Sequence, residues 1–141
     1  MSKSFLEDPE LFDRHMAAIA IRHVRLMKQQ FSIDLDYTEQ SLAVVEEALQ
    51  LLHEQLHFEK SLTIGDVPKM ARNWGAYIGE TIKKIHPGQW HKMEPFSDDH
   101  SRPLVHPDHA TFPCSWAYWR IVNGPDDNIR VKYILSYDFG Q

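Results

Sequence analysis

Gly75 and Gly79 stand one helical turn apart in residues 73–90, NWGAYIGETIKKIHPGQW, a stretch otherwise patterned as helix. A glycine inside a helix costs about 1 kcal/mol relative to alanine. Two of them at i and i+4 on a flank of one helix require a neighbouring backbone or ring to approach closely. Trp90, Phe112, Trp116 and Trp119 are the rings available for that role. Glu80, beside Gly79, is expected to be a structural acid that accepts from backbone N–H groups or from Arg120. Whatever fold the chain adopts, something must wrap tightly around this helix.

The preceding sequence supplies two more helices. Asp8 before Pro9 is a helix start: a capping carboxylate, then a proline whose missing N–H is not needed there. Phe12, Met16, Ile19, His23 and Met27 form one apolar stripe at three- and four-residue steps, fading by Phe31. A second helix is expected to open at Thr38. Its seam is Leu42, Val45, Leu49, Leu52 and Leu56, widened by Val44, Ala48 and Leu51. The glycine-bearing helix starts near Asp66 and presents Val67, Met70, Trp74, Ile78, Thr81, Ile82 and Ile85 to the core, with Gly88 as its expected terminator.

Beyond Gly88 the period changes. QWHKMEP, RPLVHP and HATFP read as short, proline-bounded strands confined to edges or ends. Residues 115–123 return to a helical pattern that ends at Gly124. The segment 129–138 is ambiguous, since Ile129, Val131, Tyr133, Leu135 and Tyr137 alternate as a strand would. The start-like Pro125-Asp126-Asp127 favours helix. The expected class is α+β: three N-terminal helices packed on a small antiparallel sheet, with one or two C-terminal helices, in a single domain spanning 1–141.

Composition narrows the partners. A net charge of −5 with dispersed Lys and Arg argues against nucleic acid, whose phosphates need clustered cations. No window approaches the ~20 apolar residues of a membrane span, and the polar N-terminus lacks a secretion-signal core. A lone Cys114 forms no internal disulfide, so a reducing cytoplasm is the expected compartment.

One motif suggests chemistry. His53-Glu54-Gln55-Leu56-His57 matches H-E-x-x-H, in which histidines four apart share a zinc ion and the glutamate deprotonates its water. Glu80 is the available third ligand. On a wheel of about 100° per residue with Leu42 at zero, the apolar seam centres near roughly 310°. His53 and His57 then fall at about 20° and 60°, on the polar flank and facing water, while Glu80 points away from the core face of its own helix. We therefore read the pair as a solvated flank, with a zinc site of His53, His57 and Glu80 as the alternative. His86, His91, His100, His106 and His109, with Asp98, Asp99 and Asp108, fit no defined metal spacing and read as loop residues. A Cys114–histidine nucleophile lacks an oxyanion element or third partner in the sequence.

At G-A-Y-I-G-E, P-G-Q-W and F-P ahead of a helix ending W-R-I-V-N-G-P-D-D, the chain resembles a loose group of small bacterial domains of unknown function. The resemblance covers about residues 71–129. It departs at Trp119-Arg120, where those proteins tend to carry Lys-Arg, so no role of that lysine transfers. The resemblance implies a stand-alone cytoplasmic domain, and some similar small acidic domains are immunity partners of secreted toxins. The functional expectation is a non-enzymatic protein-binding module with no cofactor and a protein partner such as a toxin. Its binding residues are drawn from Glu80, Trp90, Trp116, Trp119 and Arg120, with Tyr118 beside them on an exposed aromatic patch. The alternatives are a small zinc peptidase and a structural homo-oligomer.

Overall fold

The computed structural model describes residues 8–92 and 102–138. Helix α1, Pro9–Phe31, begins where the sequence places it: Asp8 Oδ1 accepts the N–H groups of Glu10 and Leu11 at 2.9 and 3.2 Å. Helix α2, Ser41–Glu54, starts three residues later than expected. Asp36 explains the delay, because its carboxylate takes both the backbone N–H and the hydroxyl of Thr38, at 3.1 and 2.6 Å. Thr38 is thereby held in a turn, and its own oxygen caps Ser41 N–H at 3.2 Å. The helix then widens into a π-helical turn over Gln55–Glu59 and stops at Lys60, which is left-handed at φ 59°.

Helix α3, Val67–Ile85, is the centre of the molecule and packs on α1 and on α4, Pro113–Asn123. It is buried almost all round between Trp74 and Ile82, a wider face than its apolar stripe alone predicts. Ala76, Gly75 and Gly79 allow this, since small residues admit neighbours on sides the stripe leaves unassigned. At its far end Ile85 is 45% exposed, which corrects its place in the expected core. Gly88 is not the terminator. The helix ends because Pro87 forces His86 into an extended conformation, φ −121° and ψ 103°.

The sheet is antiparallel, in the order β1 (Gln89–Trp90), β2 (Leu104–Val105) and β3 (Ala110–Thr111). Trp90 pairs with Leu104, and Leu104 with Thr111. Each described strand is two residues long, and Pro103, Pro107 and Pro113 bracket β2 and β3. His91 and Lys92 follow β1 without strand structure, and residues 93–95 of the first predicted strand segment, with Asp98, Asp99 and His100, lie outside the described residues.

The tail is helical. A 3₁₀ turn, Pro125–Asp127, leads to α5, Ile129–Tyr133, and a π-helical turn, Ile134–Asp138. Ile129, Tyr133 and Tyr137 recur every four residues and are all buried, so the helical period was present beneath the apparent alternation. The fold is α+β, and among the described residues no helix is long and apolar enough to cross a membrane.

Candidate functional site

The glycine pair does what its spacing requires. A Cβ on Gly79 would overlap the six-membered ring of Trp90, and one on Gly75 would overlap the backbone of Cys114. Trp90 is fully buried, so it contributes nothing to a binding surface. Its indole N–H donates to Glu80 Oε2 at 2.9 Å, and its backbone N–H donates to Asp13 Oδ1 at 2.9 Å. Lys83 Nζ bridges these two carboxylates at 3.0 Å each. Glu80 is thus a structural acid, but its partners are Trp90 and Lys83 rather than Arg120. Cys114 is also buried, with Sγ directed at the Arg72 carbonyl at 3.7 Å, while His106 bonds Tyr137 and His109 bonds Asp108.

Arg120 belongs to the junction of α2 and α4. It is 2% exposed, donating from Nε to Glu46 Oε2 at 2.8 Å and from Nη2 to Gln50 Oε1 at 2.6 Å. Glu46 Oε1 in turn accepts the N–H of Ile129 at 3.0 Å, so one carboxylate ties α2 to α4 and to the start of α5. Arg120 is therefore a clamp between helices and is inaccessible to a partner. Such pairs are costly to break because the surviving charge is left buried.

The H-E-x-x-H histidines complete this clamp. His53 Nδ1 donates to the Ile121 carbonyl at 2.7 Å, and His57 Nε2 to the Val122 carbonyl at 2.6 Å. The carbonyls at a helix C-terminus have no partners within the helix, and imidazole N–H groups satisfy two of them here. The chain escapes at Gly124, φ 95°, where His53 leaves no room for a side chain: a Cβ would lie 2.9 Å from its Nε2. The expectation that both rings face water needs correction. His57 is exposed, but His53 is half-buried, and both are turned onto the end of α4. Glu80 is committed to the Trp90 network on α3. Among the described residues no three His, Cys, Asp or Glu side chains come together at metal-binding distance.

Around this clamp lies exposed apolar surface. Trp119 is 44% exposed, Leu51 57% and Phe58 74%. Leu51 shares an open groove with Glu46, Glu47, Gln50 and Arg120, and the Phe58 ring lies 6.1 Å from that of His53. Tyr118 meets Trp119 edge-on at 4.9 Å, and both Tyr118 and Trp116 are half-buried against the core. Of the aromatic residues expected at a surface, Trp119 is thus the one that is exposed.

Sequence reasoning missed a second grouping. His86, His106 and His109 surround Tyr137 beside a cavity of about 400 Å³. His86 stacks on Tyr137 at 4.8 Å and His106 on His109 at 5.0 Å. His106 Nδ1 donates to the Pro87 carbonyl at 2.8 Å, which leaves Nε2 to accept from Tyr137 OH at 2.7 Å; that hydroxyl also bonds Thr111. Burial pushes the Tyr137 phenol up to about 12. The hydrogen bonding of His106 is satisfied internally, so this cluster locks the tail onto the sheet. The four-residue spacing of Tyr133 and Tyr137 was the available signal. Compared with known proteins, the chain matches no family model, no curated protein and no solved structure.

Proposed function

We propose that this chain is a non-enzymatic protein-binding module whose docking face is the α2–α4 junction. The observation that supports it most directly is the exposure of Trp119, Leu51 and Phe58 along a junction held rigid from beneath by Glu46–Arg120 and the two histidines. Scattered exposed hydrophobics are ordinary, whereas an exposed tryptophan on an ordered support has the character of an interface anchor. Rigidity matters because little side-chain freedom is then lost on docking. The net charge of −5 and the neighbouring Glu47 suit a basic partner. In its most specific form the reading is a bacterial, cytoplasmic immunity protein that neutralises a toxin, and that form rests on the family resemblance.

The test is site-specific photo-crosslinking in the native host, with benzoylphenylalanine at Leu51 or Phe58 and at the exposed control Gln29 on α1. The reading predicts one predominant heterologous partner, captured from the junction positions and not from Gln29. Crosslinks to a second copy of the chain would favour a structural homo-oligomer. Identical products from all three positions would defeat the assignment of this face.

A further inference from the structure

Ile19, Arg22, His23 and Leu26 follow the i, i+3, i+4, i+7 spacing of one helix face, and Lys69, Arg72 and Asn73 follow i, i+3, i+4 on α3. The two faces enclose a cavity of about 250 Å³ that collects three cations in a protein of net charge −5. Among the described residues none of the three makes an ion pair with a carboxylate. Arg72 is instead oriented by an uncharged neighbour, its Nε and Nη2 donating to Asn73 Oδ1 at 3.3 and 3.2 Å.

Lys69 also sits where its helix disfavours it. Lys69 lies in the first turn of α3, at the positive end of the helix dipole, and that turn contains no acid. Asp66, just before it, directs its carboxylate back to Thr63. The field of Arg72 reaches His15, whose pKa is depressed first by burial and then by Arg102 and Arg72.

His23 forms part of the wall of the same cavity. It is 5% exposed, and its Nε2 is buried without a hydrogen-bond partner. An unpaired buried ring nitrogen is costly, and this one is shielded behind the cavity wall beside Trp74.

We propose that this cavity between α1 and α3 binds a small phosphate monoester with a short apolar portion, held by Arg22, Lys69 and Arg72. A dianion matches three cations better than a monocarboxylate does, and two guanidinium groups suit phosphate oxygens. Ile19 and Leu26 supply the apolar wall. The volume lies below the usual range for drug-sized ligands, which selects a compact molecule. This site is separate from the α2–α4 junction and does not depend on its role.

The test titrates the full chain, in phosphate-free low-salt buffer, with butyl phosphate, inorganic phosphate, butyrate and sulfate, followed by amide chemical shifts. Butyl phosphate should bind roughly tenfold more tightly than inorganic phosphate, since part of its chain is buried. Its shifts should map to α1 and α3. Lys69→Gln, at an exposed position, and Arg72→Gln should each weaken it roughly tenfold or more while leaving the circular dichroism spectrum unchanged. Equal weak binding of all four anions, or insensitivity to both substitutions, would overturn the proposal. Binding to phosphatidic acid vesicles without binding to butyl phosphate would overturn it in favour of a membrane surface.

Discussion

At the scale of single residues, His23 is the clearest case of a side chain whose surroundings set its chemistry. Its place in the stripe of α1 marks it as a core residue, and the structure buries it edge-on to Trp74 at 4.3 Å. Burial lowers its pKa from 6.5 to about 4. Below pH ~6.5 the unfolded chain takes up a proton that the folded chain refuses until about pH 4. Stability is therefore present above this window and lost as pH falls through it, by about 3 kcal/mol from this group. Urea unfolding at pH 7 and pH 4.5 should show a distinctly smaller loss for His23→Gln than for the wild type. Parallel losses in the two proteins would mean that His23 titrates normally. The burial of His23 was legible in the sequence, whereas its unpaired nitrogen was not, because that depends on what α3 places opposite it.

Among elements, α3 organises the packing, and its two glycines are the contacts most specific to this fold. Gly79→Ala gains helix propensity of about 1 kcal/mol but drives a methyl group into the Trp90 ring. Trp90 cannot retreat, because its indole N–H is bonded to Glu80 and its backbone N–H to Asp13. We expect a net loss of about 1–3 kcal/mol by urea denaturation. Gly65→Ala is the matched control, since its Cβ would meet only Thr63 Oγ1, at 3.7 Å. That variant should fall within about 0.5 kcal/mol of the wild type. Equal effects at the two positions would refute the close-approach argument. The spacing of Gly75 and Gly79 made this packing readable in advance, and it placed Trp90 among the rings. The pairing of Arg120 was not readable. Glu46 and Gln50 lie on a flank of α2 that looks solvent-facing in isolation, and α4 covers it only after long-range docking. Helix periodicity reports what is apolar, not which polar side chains another helix will cover.

On the scale of the whole molecule, the H-E-x-x-H sequence becomes a clasp between helices. α2 and its π-helical extension carry His53 and His57 to the carbonyls of Ile121 and Val122, and Glu46 holds Arg120 and Ile129 nearby. The proposed docking face rests on this clasp. A five-residue motif conveys ligand spacing but not the environment its side chains meet. Here that environment is the end of a helix distant in sequence. The most direct measurement is metal analysis of tag-free protein, paired with urea unfolding of the wild type and His53→Ala/His57→Ala, with and without EDTA. The clasp predicts no stoichiometric zinc, no effect of EDTA, and a loss of about 1–3 kcal/mol in the double variant. One zinc ion per wild-type chain, absent from His57→Ala and removed by EDTA together with stability, would contradict it.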